Sequence, residues 1–443
     1  MGTVESYLSS GVRQRVLVGV FAIFVAANLY NALTKGGDFT VFLESGRRVA
    51  SAAPLYADSR VAEGVVGPPF QGVLFVPFAW LADRSEVASR VAWYGLNLVL
   101  LVAGVLWWQR ALAGAGATGT TLQRLASPEV LLALLAVAHP LQANFQHQNL
   151  NVVLLALSGL GASAAMAGRA RTCGIALGAA TALKAFPALL LVYLLLRRRG
   201  RALAWAIGAA GVLTLLPVLW YGVDAGLRLP GEWLRLSGSD GWPIRSHNQS
   251  LFAMVGRWLG PEGITATGRL TVAEAPEVFV AWAVAGASLL VFCGACMLRG
   301  TLPSQGECGV ADAGWPGPAA APIPGEGNHS GDCANPSGSR GHLRDAQEIA
   351  IVLGLAVLLS PIAWDHYWVL FFPAFLLALV SRERLPGPLL PRVFWTSATM
   401  TSGVGLLGRE AWRLSRWVSV RCLAGVLLVV ALTMAMRRQD GRV

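Results

Sequence analysis

Charge is scarce in this chain. Of its 443 residues only 13% are Asp, Glu, Lys or Arg, 55% are hydrophobic, and the mean hydropathy is +0.55. So little charge cannot clothe a water-soluble surface, which excludes an ordinary soluble domain and leaves an integral membrane protein. Lysine is almost missing, with Lys35 and Lys184 the only two, so the net charge of +11 is an arginine charge. The arginines stand in short runs beside apolar stretches, as in Arg197-Arg198-Arg199-Gly200-Arg201 and Arg437-Arg438. That is the bias of cytoplasmic loops, and it excludes nucleic acid as a partner. A disulfide framework is lacking too: Cys173, Cys293, Cys296 and Cys422 lie in or beside apolar stretches, and only Cys308 and Cys333 occupy a polar loop. No Gly-rich phosphate loop precedes a Lys-Ser or Lys-Thr pair, so no nucleotide-binding domain is expected. The first apolar run, Val16 to Leu33, lacks a small-residue cleavage site and reads as a retained helix.

What is present is a series of apolar segments. Spans of the length a bilayer requires fall near 16–33, 69–83, 90–108, 127–142, 149–167, 174–196, 202–222, 276–298, 346–363, 366–381, 391–407 and 416–436. The expectation is an all-α polytopic bundle of about twelve helices forming one transmembrane domain over 1–443. With the N-terminus inside, Arg84, Arg90, the Arg197 run, Arg299, Arg340, Arg344, Arg382, Arg384, Arg437, Arg438 and Arg442 all fall inside. The loops 34–68 and 223–275, the corner 363–366 and a short loop near Arg409 then lie outside. The 299–345 stretch, rich in Gly, Pro, Ser and Ala, reads as a disordered cytoplasmic insertion.

Three polar clusters share the outer face. Asp38 follows the first span, and the apolar positions Phe39, Phe42, Leu43, Val49 and Ala50 after it suit a helix lying on the membrane surface. Asp38 taken alone suits a helix N-cap equally, and capping and catalysis can coexist. Ser246-His247-Asn248-Gln249-Ser250 with Arg257 offers amide, imidazole and guanidinium groups of the kind that read sugar hydroxyls and phosphate, or that cap an ordered loop. Trp364-Asp365-His366-Tyr367 is either a site or an interfacial anchor, with Asp365 favoured as a cap of the next helix. Lys184 stands in the middle of an apolar segment, where a charge needs a partner such as a phosphate or a carboxylate, or else snorkels. A denser cluster, Gln142, Asn144, Gln146, His147, Gln148, Asn149 and Asn151, falls on the inner side by parity. Either the short fourth segment does not span, or these residues tie helices together.

In order along the chain, Asp38-Phe39, Pro54-Leu55-Tyr56, Pro68-Pro69-Phe70, Gln148-Asn149, Lys184-Ala185-Phe186-Pro187, Asn248-Gln249-Ser250-Leu251 with Arg257, and Ser360-Pro361-Ile362-Ala363-Trp364-Asp365-His366 resemble glycosyltransferase family 87. The resemblance implies a glycosyltransferase C architecture with its site on the extracytoplasmic face of the plasma membrane. It implies transfer of a hexose, most often mannose, from a polyprenyl phosphate sugar to a lipid-linked or glycan acceptor, with membrane lipids as surroundings. Asp38 would be the general base and His366 a second catalytic or orienting residue, with Lys184, His247, Asn248, Gln249, Arg257, Trp364, Gln148 and Asn149 about the substrates. Relatives carry a second histidine where this chain has Tyr367, which departs from a two-histidine pattern. No resident cofactor is implied, and with neither a carboxylate pair beside Asp38 nor a His/Cys ligand pattern no essential metal is expected. Two other classes fit the composition: a secondary transporter, against which stands the absence of similar halves, and a lipid-binding scaffold, which would tolerate loss of Asp38.

Overall fold

A computed structural model of the chain describes residues 10–35, 37–56, 67–113, 119–239, 241–260, 268–299, 336–381 and 389–440. Within them the chain is helical almost throughout, and three helices are long and apolar enough to cross a membrane, or five if each of two bent helix pairs forms one span. Several expected spans are instead broken, and the breaks position the polar residues.

The first helix, α1 (Ser10–Thr34), gives way at Gly37, whose φ of +116° turns the chain into α2 (Asp38–Ala50). The apolar face of α2 is covered by protein: Phe39, Phe42 and Leu43 pack with Phe75 of α3 (Pro69–Ala82) and Trp93 of α4 (Glu86–Ala113). Gly46 permits the close approach, since a Cβ there would sit 2.6 Å from the Phe75 carbonyl oxygen. At fourteen residues α3 is short; its length of about 21 Å falls below a hydrocarbon core of about 30 Å. Arg90, one turn into α4, donates to the carbonyls of Ala32 (3.1 Å) and Lys35 (3.0 Å) at the end of α1. Arg90 therefore shares an end with Asp38, which corrects the parity count that put it on the opposite side.

After the short α5 (Thr121–Leu125), the expected 127–142 span is two pieces, α6 (Pro128–Ala136) and α7 (Ala138–His147). Pro140 has no N–H for the Ala136 carbonyl, and the hydroxyl of Ser402 supplies the missing donor at 2.8 Å. Past α8 (Asn151–Met166), the expected 174–196 span is likewise split, into α9 (Ala170–Leu183) and α10 (Ala188–Leu196), because Pro187 cannot return a bond to Leu183. Cys173 of α9 and Tyr193 and Leu194 of α10 line one small cavity with Arg199 and Asp345. The two pieces thus form a hairpin with Lys184 at its tip, not a helix with Lys184 at mid-length.

The helices α11 (Gly200–Leu215) and α12 (Val218–Ser239) meet at Pro217 with a bend of 102°. A two-residue antiparallel ladder, β1 (Trp242–Pro243) on β2 (Arg269–Leu270), encloses α13 (Leu251–Leu259). Next come α14 (Pro276–Arg299) and α15 (Pro336–Leu359). Of the 299–345 insertion, 300–335 lies outside the described residues, and the part from 336 belongs to α15. The two helices are clasped where they flank that stretch: Arg344 donates to the Met297 carbonyl at 2.8 Å. At this end Arg197 pairs with Glu348 (2.7 Å) and Arg199 with Asp345 (2.5 Å), tying α10 and the start of α11 to α15.

The far end of α15 leads through Ser360–Trp364 into a 3-10 turn, Asp365–Phe371, and α16 (Phe372–Val380). A further segment, α17 (Leu389–Ala398) with a π turn at Thr399–Gly403, precedes α18 (Arg409–Trp417) and α19 (Val420–Asp440). The core sits between α15, α16 and α19, around Leu353, Val357, Phe371, Phe372 and Phe375.

Candidate active site

Four segment ends meet at Asp38. The first residue of α2, it is placed there by Gly37, where any side chain would be strained by the positive φ and would meet His147 Nδ1 at 3.0 Å. The second end is that of α7. Gln148 adopts the left-handed conformation (φ 50°), and the Asn149 N–H bonds back to the Asn144 carbonyl at 3.0 Å, closing the helix with a reversal. The reversal aims Asn149 at Asp38: its Nδ2 donates to Asp38 Oδ2.

The third contributor is Lys184, at the tip of the α9–α10 hairpin. Its Nζ donates to Asn149 Oδ1 (3.0 Å) and Asn151 Oδ1 (3.0 Å) and lies 3.9 Å from the ring centroid of Tyr367, which stacks on Phe186. An ammonium group only donates. Both amide oxygens must therefore face Lys184, and both amide nitrogens turn away, that of Asn149 to Asp38 and that of Asn151 to the His366 carbonyl (3.2 Å). Lys184 thereby sets the direction of the hydrogen bond that holds the carboxylate.

The fourth is the 3-10 turn. His366 is buried, with Nε2 3.6 Å from Asp38 Oδ2 and no hydrogen-bond partner among the described residues, and the ring centroid of His147 lies 5.6 Å away. The Asp38 side chain is 38% exposed, and among the described residues nothing donates to Oδ1. One carboxylate oxygen is fixed, and the other is open.

The structure places the remaining expected site residues around this centre. Gln148 is tied away from Asp38: its Nε2 donates to the Ala32 carbonyl (3.1 Å) and its own carbonyl accepts Trp93 Nε1 (2.8 Å). Asn248 donates to the carbonyls of Pro243 (2.7 Å) and Pro361 (2.9 Å) and accepts from the Ala363 N–H (2.8 Å), bridging to Trp364. Gln249 Nε2 donates to the carbonyls of Ser246 and Arg416. Arg257, with a pKa pushed by burial down to about 10, remains a cation at neutral pH and binds the carbonyls of Ile244, Arg245, Asn248 and Trp417. Asn248, and Gln249 through its main-chain N–H on the Ala363 carbonyl (2.9 Å), brace the corner at 361–363, and Arg257 ties that loop to the Trp417 carbonyl of α18, while Trp364 is half-buried and His247 is exposed.

The 142–151 cluster, expected on the inner side, shares this end with Asp38, as the Asn149 contact requires. Asp365 was expected to cap its helix, yet its side chain makes no cap hydrogen bond. It pairs with Arg421 (2.5 Å), and Arg416 lies 3.7 Å away. Arg421 also donates to the Thr401 carbonyl (2.9 Å) and contacts His139 Nδ1 (2.8 Å), with its guanidinium over the Trp412 ring. Sequence reasoning missed this arginine. A charge five residues into the expected 416–436 span was the available signal.

A family model described as Glycosyltransferase family 87 matches residues 66–306, a stretch that holds Asn149, Lys184 and Asn248 but neither Asp38 nor His366. Among curated proteins the chain is similar to two enzymes that bear the same name, polyprenol-phosphate-mannose-dependent alpha-(1-2)-phosphatidylinositol mannoside mannosyltransferase. It is 29% identical to that of Mycobacterium tuberculosis over 382 residues, 82% of this chain and 74% of the relative. It is 26% identical to that of Mycolicibacterium smegmatis over 385 residues, 83% and 74% of the two chains.

Proposed function

Because the chain belongs to glycosyltransferase family 87, we propose that it transfers mannose from polyprenyl phosphate mannose to an acceptor lipid of the phosphatidylinositol mannoside class, with Asp38 as general base. The donor and acceptor classes are those in the names of its relatives. The observation that carries the assignment of the base is the asymmetry of the Asp38 carboxylate, with Oδ2 held by Asn149 and Oδ1 open. Oδ1 takes the proton of an acceptor hydroxyl as that oxygen bonds to the anomeric carbon. The bond from that carbon to the phosphate oxygen breaks on the opposite face, and polyprenyl phosphate leaves with the electron pair.

Inversion separates base and leaving group across the sugar ring. A group 3.6 Å from Asp38 Oδ2 lies on the face of the base, so His366 orients the acceptor hydroxyl rather than the leaving phosphate. Lys184 is a positioning residue, acting on Asp38 through Asn149.

The reacting end faces away from the cytoplasm, in the plasma membrane. Supporting this orientation, the Arg197 run lies at the opposite end with Asp345 and Glu348, and Arg437 and Arg438 close α19, whose start lies beside Asp365. With α2 packed on α3 beside Asp38, that helix pair forms the roof of the site at headgroup level.

The test is transfer of radiolabelled mannose from polyprenyl phosphate mannose to phosphatidylinositol mannoside by the purified protein, beside Asp38→Asn. Label should move with the wild type alone. Equal transfer by the variant would remove Asp38 as the base, and uptake of sugar into proteoliposomes without transfer would return the transporter reading.

A further inference from the structure

We propose that α18 is the docking surface for the phosphodiester headgroup of the acceptor lipid, with Arg416 as its cationic contact; the proposal rests on the acceptor class inferred above. The helix is strongly two-sided. Leu406 and Leu407 just before it, Leu414 within it and Trp417 and Val418 at its end are exposed, at 90%, 74%, 65%, 51% and 42%. Only Val418 and Ser419 separate α18 from α19, one of the three helices able to cross a membrane. A ridge of bare Leu, Val and Trp next to the mouth of a span lies among lipid headgroups and upper acyl chains.

The charge of this helix suits an anion: Arg409, Arg413 and Arg416 stand against one acid, Glu410, which pairs with Arg413 at 3.4 Å. Arg416 differs from the others. Its side chain is 13% exposed, and among the described residues its Nε and Nη2 have no hydrogen-bond partner, with Asp365 3.7 Å away. Buried guanidinium N–H groups without acceptors are costly, and a phosphate supplies the acceptors in the matching fork geometry. Three other arginines at this end are committed: Arg90 to Glu86 and the end of α1, Arg257 to main-chain carbonyls, Arg421 to Asp365 and Thr401.

The position connects lipid to chemistry. The Arg416 carbonyl accepts Gln249 Nε2 at 2.8 Å and the Trp417 carbonyl accepts Arg257 Nε at 3.1 Å, so the end of α18 is fastened to the brace that holds the 361–366 corner. Arg416 lies 3.7 Å from Asp365, the residue before His366, so a headgroup phosphate on Arg416 leaves the mannosyl part of the same lipid to extend toward Asp38.

The experiment is native mass spectrometry of the full chain released from phosphatidylcholine nanodiscs doped with phosphatidylinositol or with phosphatidylglycerol. Wild type should retain phosphatidylinositol over phosphatidylglycerol, and Arg416→Gln should lower that retention about fivefold, the effect of one phosphate-facing cation, with Arg416→Lys within about twofold of wild type. Equal retention of the two lipids by wild type would mean a merely anionic surface and overturn the proposal, as would unchanged retention by Arg416→Gln. In the transfer assay Arg416→Gln should raise KM for the lipid acceptor about fivefold and leave KM for the donor unchanged; a rise in the donor KM instead would overturn it. A wild type that transfers no mannose would remove the functional reading, and the retention comparison would still decide the docking site.

Discussion

Lys184→Met tests the internal logic of the site. The substitution keeps an unbranched, adaptable side chain and removes three donors, so Asn149 Oδ1 and Asn151 Oδ1 each lose a bond of 3.0 Å and Tyr367 loses the cation over its ring. Each charge-assisted bond contributes about 1.5–3 kcal/mol, but Met also abolishes the cost of burying an ammonium group, so net stability should shift little. The catalytic effect should be large. Without Lys184 the Asn149 amide is free to flip, which would turn its oxygen toward the carboxylate and push the base out of place, and a misplacement of about 1 Å costs about 10²-fold in kcat. The assay is steady-state transfer with both substrates varied. The expected result is a fall in kcat with KM for the donor nearly unchanged and the melting temperature preserved. Asn149→Leu should produce a similar fall, and the double variant should be no worse than either single one, the mark of two residues acting as one unit. A rise in the donor KM with kcat intact would refute this argument, because it would place Lys184 on the donor phosphate.

Asp38→Asn should fold normally and lose transfer, and His366→Ala should lower kcat with the lipid acceptor by about 10²-fold, the scale on which lost orientation of a reacting group costs rate; unchanged kinetics would reduce His366 to an anchor. Gly37→Ala should destabilise the entry to α2 by about 1–3 kcal/mol through the positive φ alone, and transfer should fall further than stability because the added methyl presses on His147; a fully active variant would show that Asp38 is not held by this turn. Asp365→Ala leaves the buried Arg421 without its carboxylate and should cost about 3–5 kcal/mol in thermal or denaturant unfolding, whereas Asp365→Ala with Arg421→Met should recover most of that loss.

The candidate site was legible in the sequence to the extent that its residues violate the solvent. Asp38, Lys184 and His366 are conspicuous because polar groups in an apolar chain need a reason, and the structure brings all three together with Asn149. Topology was less legible, because hydropathy measures apolar length and is blind to direction. Pro140 and Pro187 turn two apparent spans into paired shorter helices, and α3 is apolar enough to imitate a span while packing under α2. These departures moved Arg90 and the 142–151 cluster to the end that holds Asp38. The brace formed by Asn248, Gln249 and Arg257 was visible as a polar motif, but its attachment to carbonyls of remote segments depends on pairings that no local pattern encodes.

The clasp between Arg344 and the Met297 carbonyl fastens α14 to α15 where they flank residues 300–335. With the two helices fastened there and the proposed chemistry at the other end of α15, exchange of residues 300–335 for a short tether, a fluorescent module or a rigid fiducial for electron microscopy should leave mannose transfer unchanged.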